Sequence, residues 1–166
     1  LNHAVLYVRD IEVSKDFYCG VLGFDVVTEF SGAAFLRAPA STNDHDLGIF
    51  AIGADADASA AGRRTVGMYH LAWEVDTLGE LAELANALRE RGSLVGATDH
   101  GTTKSLYAKD PDGLELELVW LLPADLIDDA DRAAATTLRP LDLDAELARF
   151  GADARSGFGV SRPTPV

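Results

Sequence analysis

The sequence predicts an α+β fold made of paired β-α-β-β-β modules, followed by a C-terminal helical tail. Two observations carry this prediction. Segments with alternating apolar residues, typical of half-buried strands, occur in two similar series, and each series contains one stretch with helical spacing. The series also begin alike, since Asn2-His3-Ala4-Val5 has the place in the first that Tyr69-His70-Leu71-Ala72 has in the second. A repeat of about 50 residues predicts that the modules pair, because neither is large enough to bury its apolar face alone.

Module one is predicted over residues 1–52. Its first strand, at residues 1–8, places His3 on the face opposite the residues that pack against the helix. Asp10 is a suitable N-cap for a helix over about 11–22. The remaining strands of this module are predicted at residues 24–30, 33–38 and 46–52.

Module two is predicted over residues 68–122, after a linker at 53–67 that is rich in Ala, Gly and Asp. Its first strand carries His70 on the polar face. Thr77 and Glu80 have the spacing of a capping box for the helix that follows. We expect the two modules to form one curved mixed sheet, with helices on one face and a cleft on the other. The strands of module two are predicted at residues 68–75, 94–97, 105–108 and 114–120.

The last strand of module two has the most informative pattern. It follows Asp110-Pro111-Asp112-Gly113, whose residues are typical of a tight turn. Apolar residues then alternate with polar ones, so that Glu115 and Glu117 share one face of the strand. Two carboxylates on one face of an otherwise apolar strand face either bulk water or a ligand that prefers anionic oxygen.

The chain changes character in a C-terminal extension at residues 123–166. Residues 124–137 are acidic and rich in alanine, which predicts a helix, and a second short helix is predicted at 145–150. Residues 151–166 are rich in Gly, Ser and Pro and are predicted to be poorly ordered toward their end. The extension would pack over the mouth of the cleft or onto a second subunit, or else face solvent as an appendage.

Three residues on the cleft face predict a metal site. His3, His70 and Glu117 each lie opposite the helix-packing residues of their strands. Two imidazoles and one carboxylate on one side of a metal leave other positions open, as expected of a non-haem Fe(II) site that binds substrate and O2 together. Mn, Ni, Co or Zn would accept the same ligands. A lone histidine near a strand start is usually a packed or surface residue, but two at matching places in a repeat favour the metal interpretation.

The chain resembles the vicinal oxygen chelate superfamily over residues 1–122. The resemblance rests on the paired modules, on the strand-initial His3 and His70, and on the Asp-Pro-Asp-Gly turn that precedes Glu117. The superfamily includes glyoxalase I, type I extradiol dioxygenases, fosfomycin- and bleomycin-resistance proteins and methylmalonyl-CoA epimerase. Three segments give a particular likeness to the small catechol 2,3-dioxygenase-like members: Asp99-His100-Gly101, Ser105-Leu106-Tyr107 and Asp110-Pro111-Asp112-Gly113.

The resemblance implies an Fe(II)-dependent extradiol dioxygenase that opens a catechol-like ring with O2, and it implies roles for four further residues. His45 would act as an acid or base, and Tyr107 would donate a hydrogen bond to a substrate oxygen. Asp99 and His100 would form a pair near the same pocket. Three of these residues have a structural alternative, since His45 and His100 could be loop residues and Tyr107 a strand aromatic.

One place in module one distinguishes the chemistries of this superfamily. Glyoxalase I-type members carry a fourth ligand on the last strand of module one, where Glu117 lies in module two. Aligning the repeats puts Gly48, or a neighbour within one residue, at that place, and Asp46 would reach it only if the register slipped by two. The alternatives to a dioxygenase are a glyoxalase- or epimerase-like lyase or isomerase using Zn, Ni or Co, and a metal-free binding protein of the bleomycin-resistance type.

The charge balance limits the partners. The chain has 27 acidic and 14 basic residues and a net charge of −13, which argues against nucleic acid or an anionic membrane surface. Lys104 and the pair Arg63-Arg64 are the few cations near the site segments, and we expect them at the surface. The single cysteine, Cys19, suits a reducing cytoplasm, and no apolar run is long enough to cross a bilayer. We therefore expect a cytoplasmic protein with a small-molecule substrate and, from the resemblance, a homodimer.

Overall fold

The computed structural model describes residues 1–59 and 64–157, and the chain divides into two compact units. Unit one comprises Leu1–Gly67 and Asp110–Leu114, and unit two comprises Met68–Lys109 and Glu115–Val166. Each unit has a β-α-β-β-β core with its own mixed sheet, which confirms the predicted α+β class. The hydrogen-bonded ladders form two sheets, one in each unit, where the sequence led us to expect a single curved sheet.

Unit one is a four-stranded sheet with one helix. Its elements are β1 (Ala4–Val8), α1 (Ile11–Tyr18), β2 (Asp25–Phe30), β3 (Ala33–Arg37) and β4 (Leu47–Ala51). The strand order is β1-β4-β3-β2, in which β1 and β4 are parallel and the other neighbours are antiparallel. Helix α1 begins as predicted, because the Asp10 side chain accepts hydrogen bonds from the N–H groups of Glu12 and Val13.

The Asp-Pro-Asp-Gly turn is held firmly within unit one. Asp110 Oδ1 accepts hydrogen bonds from the N–H groups of Asp112 (3.0 Å) and Leu114 (2.8 Å), and Tyr18 donates its hydroxyl to Asp110 Oδ2 at 3.0 Å. Burial raises the pKa of Asp110 above its usual value. Arg9 forms an ion pair with Asp112 at 2.9 Å. The backbone is therefore fixed up to Leu114, directly before the last strand of the second core.

Unit two is a five-stranded sheet with three helices among its described residues. Its elements are β5 (His70–Glu74), α2 (Leu78–Glu90), β6 (Leu94–Asp99), β7 (Thr103–Lys109), β8 (Glu115–Leu121), α3 (Asp129–Ala134), β9 (Arg139–Pro140) and α4 (Leu143–Phe150). The strand order is β5-β8-β7-β6-β9. Thr77 and Glu80 form the predicted capping box of α2. Leu116, Leu118 and Trp120 are buried on one face of β8, as their alternation predicts.

The C-terminal extension differs from its prediction in two ways. The helix predicted at 124–137 is restricted to α3, because Asp128 and Asp131 form a capping box that starts it at Asp129. The sequence also gave no sign of β9, a two-residue strand that pairs with the edge of β6. The end of the extension predicted to be poorly ordered includes residues 158–166, which lie outside the described residues.

The described part of the extension packs on unit two instead of facing solvent as an appendage. The indole N–H of Trp120 donates to the carbonyl of Ala154 at 3.0 Å, and the Phe150 ring lies 5.6 Å from the Trp120 ring. Both contacts are on the face of β8 that is buried together with α2. Among the described residues, no helix is long and apolar enough to span a membrane.

The prediction that Lys104 lies at the surface is wrong. Its side chain is fully buried, and Nζ lies 2.7 Å from Asp99 Oδ1 and 3.2 Å from Glu146 Oε1. Lys104 lies on the face of β7 that the extension covers, and α4 supplies the second carboxylate, which no local pattern could indicate. Arg63, predicted with Arg64 to lie at the surface, is outside the described residues.

An ion pair between α3 and α4 stabilises the extension, and its contribution to the free energy of unfolding should depend on pH. Arg149 of α4 donates from both Nη atoms to the carboxylate of Asp131 on α3, each at 2.8 Å, and the Asp131 side chain is 3% exposed. The hydrogen bonds from Arg149 lower the pKa of Asp131 from its usual value. A carboxyl with a lowered folded-state pKa contributes stability above its unfolded value and loses it as the pH falls through the folded value.

We therefore predict that Arg149→Gln lowers the free energy of unfolding at neutral pH by about 2 kcal/mol, because a buried carboxylate loses its charged donor. The difference from wild type should shrink as the pH falls through the folded-state pKa of Asp131. Denaturant unfolding at a series of pH values measures both effects. Arg132→Gln is the matched control, since Arg132 is exposed on the same helix pair. An equal loss in the control, or a loss independent of pH, would contradict the assignment.

Candidate functional site

Three strands of unit two bring polar side chains to the face opposite the buried apolar residues. Tyr107 of β7 is directly opposite Glu117 of β8 in the antiparallel register. On the other side of β8, His70 begins the parallel strand β5, and its neighbour two residues on, Ala72, pairs with Glu117. Because side chains alternate along a strand, Tyr107, Glu117 and His70 lie on the same face of the sheet.

These residues form a continuous chain of short contacts with His100, which lies in the turn after β6. His70 Nε2 is 3.0 Å from Glu117 Oε2, and the Tyr107 hydroxyl donates to Glu117 Oε1 at 3.3 Å. His100 Nε2 is 3.1 Å from the Tyr107 hydroxyl. Both oxygens of Glu117 therefore have a partner. The side chains of His70 and Glu117 are 24% and 15% exposed, so the pair is largely shielded yet reachable from solvent.

Tyr107 is the member of this chain of contacts whose pKa is shifted. Burial and the adjacent Glu117 carboxylate raise the pKa of Tyr107 to about 12, so its phenol keeps its proton near neutral pH. The single hydroxyl proton is donated to Glu117, and the Tyr107 oxygen then accepts from His100. This geometry assigns the proton of a neutral His100 ring to Nε2.

The His70–Glu117 pair fits two ligands of a metal ion. The 3.0 Å separation of Nε2 and Oε2 is that of a hydrogen bond, and two ligands bound at right angles at about 2.1 Å would lie equally far apart. Imidazole nitrogen and carboxylate oxygen suit Fe, Mn, Ni, Co and Zn. His70 Nδ1 is buried and has no hydrogen-bond partner within the described residues, so the ring depends on Nε2 for its polar contact.

The pair is not a complete metal site by itself. Within either unit, the described residues contain no group of three or more His, Cys, Asp or Glu side chains arranged to hold a metal ion. The predicted set of His3, His70 and Glu117 stays a prediction.

Unit one brings the predicted residues His3 and His45 together. His3 lies directly before β1 and is exposed, with Nδ1 2.9 Å from Asn2 Oδ1. The His45 ring lies 4.7 Å from the His3 ring and 4.8 Å from the ring of Phe35. His45 Nδ1 is also 3.0 Å from the exposed Asp44 carboxylate. A histidine proposed as a ligand and one proposed as an acid or base are thus neighbours at one end of this sheet.

The strand registers identify the residue of unit one that corresponds to Glu117. In unit two, Glu117 pairs with Ala72 and Tyr107, and in unit one Gly48 pairs with Val5 and Phe35. Val5 follows His3 by the same interval as Ala72 follows His70. Gly48 therefore has the place of Glu117, and Phe35 has the place of Tyr107.

A side chain at the Gly48 position would crowd its neighbours, which would have to shift by a few tenths of an ångström. A Cβ atom added to Gly48 would lie 3.2 Å from Phe35 Cε1 and 3.4 Å from Val5 Cγ2. The Phe35 ring thus fills the space that a ligand side chain would need.

The alternative residue, Asp46, is committed elsewhere. Its carboxylate accepts hydrogen bonds from the Ala38 N–H, the Ser41 hydroxyl and the Asn43 amide at 2.7–3.0 Å. Burial opposes its ionisation, but these bonds lower the pKa of Asp46. Asp46 therefore holds the loop that precedes β4 and supports the adjacent His45.

Asp99 lies apart from the chain of contacts that includes its neighbour His100. Its carboxylate accepts hydrogen bonds from Lys104 Nζ (2.7 Å), the Gly101 N–H (2.7 Å) and Arg139 Nη2 (2.6 Å). The predicted Asp99–His100 pair is thus a pair in sequence, while in the structure Asp99 holds the backbone of the turn. Arg139 was missed because only the fold brings it to this turn, whereas Lys104 was expected at the surface and is buried against Asp99.

Comparisons with known proteins agree with this architecture. A model of the Glyoxalase/Bleomycin resistance protein/Dioxygenase superfamily matches residues 1–118. The chain is 33% identical over 117 residues to biphenyl-2,3-diol 1,2-dioxygenase 2 of Rhodococcus globerulus, which covers 70% of this chain and 60% of that protein. It is 31% identical over 127 residues to lactoylglutathione lyase of Neisseria meningitidis, covering 72% of this chain and 88% of the lyase. A glyoxalase family protein of Enterococcus faecalis has the same fold, with a TM-score of 0.53, 27% identity, and coverage of 72% of this chain and 95% of that one.

We predict that Gly48→Glu destabilises the protein by about 2 kcal/mol, because the new side chain meets the Phe35 ring. Phe35→Ala also costs stability by itself, but it should relieve most of the added penalty of Gly48→Glu. A double-mutant cycle measured by denaturant unfolding should therefore give a favourable coupling of about 1–2 kcal/mol. Strictly additive effects of the two substitutions would show that Phe35 does not fill the ligand position.

Proposed function

Because the chain belongs to the glyoxalase/bleomycin resistance protein/dioxygenase superfamily, we propose that it is an Fe(II)-dependent extradiol dioxygenase that opens a catechol-like ring with O2. The observation that carries this proposal is the difference between two equivalent positions of the repeat, which hold Glu117 in unit two and Gly48 in unit one. One carboxylate ligand, with a phenylalanine filling the equivalent place in unit one, suits three protein ligands and open positions for substrate and O2. The likeness to a protein named as a biphenyl-2,3-diol dioxygenase supports an aromatic diol as substrate.

The proposed metal ligands are His3, His70 and Glu117. The 3.0 Å separation in the His70–Glu117 pair supports two of them. His3 is included because it has the place of His70 in the internal repeat. When bound, a ferrous ion would act as the Lewis acid for the two diol oxygens and as the electron conduit to O2. Mn, Ni, Co and Zn compete for the same ligand types, so metal identity is part of the proposal.

The surrounding residues of the chain would orient the substrate and move its protons. Tyr107 keeps its phenolic proton, which makes it a donor to an anionic oxygen that approaches Glu117. His100 Nε2 lies within hydrogen-bond distance of the Tyr107 hydroxyl and can return a proton to it. His45 is proposed as the acid or base in unit one, because it neighbours His3 and is held beside the Phe35 ring. An aromatic substrate would also find apolar contacts at that ring.

A metal-dependent lyase or isomerase of the glyoxalase type is the second candidate. It is favoured by the likeness to a lactoylglutathione lyase across 88% of that protein's length, whereas the chain spans only 60% of the dioxygenase. The absence of a carboxylate at Gly48 counts against it, since the resemblance implies a fourth ligand there. A metal-free binding protein would leave the His70–Glu117 pair without a role. For the dioxygenase we further propose a homodimer in the cytoplasm, with a small aromatic diol and O2 as its reactants.

We predict that protein loaded with Fe(II) under anaerobic conditions consumes one O2 for each catechol ring opened. An oxygen electrode and the absorbance of the ring-opened product, measured across a panel of substituted catechols, check this stoichiometry. Glu117→Gln should abolish uptake, because the anionic ligand is lost.

The same preparations, reloaded with Zn or Ni, should be tested on a glutathione hemithioacetal of an α-ketoaldehyde. Isomerisation of the hemithioacetal together with no oxygen uptake on any catechol would replace the dioxygenase proposal with the lyase. Inactivity with both substrates and failure to bind any metal would favour the binding protein.

A further inference from the structure

The turn that presents His100 is built partly by the C-terminal extension. Strand β9 pairs with the end of β6, with Pro140 opposite Thr98 and Arg139 opposite Asp99. The turn therefore begins at a backbone position that the extension holds from outside the β-α-β-β-β core. The superfamily match ends at residue 118, so this contact comes from a part of the chain that the match leaves out.

Asp99 links the extension to the turn, because its carboxylate contacts both Arg139 and the backbone of Gly101. Arg139 Nη2 lies 2.6 Å from Asp99 Oδ2, while Asp99 Oδ1 accepts from the Gly101 N–H at 2.7 Å. One carboxylate thus connects a guanidinium of the extension to the backbone on the far side of His100. Charge-assisted hydrogen bonds of this length are directional, so they restrict the turn as well as stabilise it.

A buried cation ties the same carboxylate to α4. Lys104 Nζ lies 2.7 Å from Asp99 Oδ1 and 3.2 Å from Glu146 Oε1, and the Lys104 side chain is 1% exposed. A charge so far from water requires nearby counter-charges. Asp99 supplies one from the core and Glu146 supplies the other from the extension. Displacement of either element would leave the lysine poorly compensated.

Helix α3 encloses the turn at Gly101. This glycine has φ +77°, and a Cβ added to it would clash with the Asp131 carbonyl oxygen and lie 2.8 Å from the Ala135 nitrogen. The backbone of the helix end thus lies directly on the turn, and there is no space for any side chain. Together with β9 and α4, this makes three independent contacts from the extension on the residues that flank His100.

We propose that the C-terminal extension is a positioning device for His100, with Arg139 as its principal positioning residue. It holds the turn so that His100 Nε2 stays within hydrogen-bond distance, 3.1 Å, of the Tyr107 hydroxyl. The effect of this positioning on catalysis rests on the proposed function, in which His100 returns a proton to Tyr107. The placement of His100 itself does not depend on which reaction the site performs.

Arg139→Gln is the variant that tests this role. The Arg139 side chain is 49% exposed, so its loss should leave the fold intact, whereas substitution of the buried Lys104 could prevent folding. Arg139→Lys keeps a cation, and Arg139→Glu places a like charge beside Asp99. Arg132→Gln, an exposed arginine of α3, is the matched control.

The first measurement is independent of activity. The chain has four histidines, so the imidazole NMR signals can be assigned with single His→Asn variants. We expect the His100 signal to shift or broaden in Arg139→Gln and more so in Arg139→Glu, to recover in Arg139→Lys, and to stay at the wild-type position in Arg132→Gln. A His100 signal that is unchanged in both Arg139→Gln and Arg139→Glu would overturn the proposal.

The second measurement is steady-state oxygen uptake with the best catechol, on Fe(II)-loaded protein of equal metal content. Misplacement of His100 should lower kcat about tenfold in Arg139→Gln with KM changed less than about twofold. Arg139→Lys should recover most of the kcat. An unchanged kcat in Arg139→Gln would overturn the proposal. A wild-type protein that consumes no O2 would refute the proposed function, and the NMR series would then decide on the positioning role by itself.

Discussion

The carboxylate of Glu117, held between His70 and Tyr107, is the interaction on which the site of unit two depends. Its side chain is only 15% exposed, so a charge there needs close partners. One oxygen faces an imidazole nitrogen at 3.0 Å and the other a phenol at 3.3 Å. The anion helps to keep Tyr107 protonated, and the phenol oxygen in turn lies 3.1 Å from His100 Nε2. Removal of the carboxylate would therefore change the hydrogen bonding of all three neighbours.

The two units show how a repeated module can lose symmetry at one point. Unit two carries Glu117 opposite Tyr107, and unit one carries Gly48 opposite Phe35 at the equivalent register. Where unit two has a polar pair, unit one has the apolar Phe35 ring beside Gly48. A Cβ added to Gly48 would lie only 3.2 Å from that ring. In the proposed metal site, this asymmetry would leave one carboxylate ligand instead of two, and for this reason we propose a dioxygenase over the glyoxalase-type candidate.

The fold and part of the site could be predicted from the sequence because they depend on short-range patterns. Alternation, capping residues and the Asp-Pro-Asp-Gly turn located the strands and helices of both cores and put Glu117 on the polar face. The burial of Lys104 could not be predicted, since its carboxylate partner Glu146 is distant in sequence and no local pattern connects them. The same reason hid Arg139 as a partner of Asp99, so that the motif around His100 suggested a catalytic pair where the structure has a structural carboxylate.

We propose that Glu117 and His70 are ligands of one metal ion and that His3 is the third ligand. The most direct measurement is anaerobic titration with Fe(II), read as bound metal per chain, for wild type and for His3→Asn, His70→Asn and Glu117→Gln. We expect this ligand set to give one tightly bound ion in wild type and a loss of affinity of about tenfold to a hundredfold or more in each variant. Undiminished binding of one ion by the Glu117→Gln protein would contradict it.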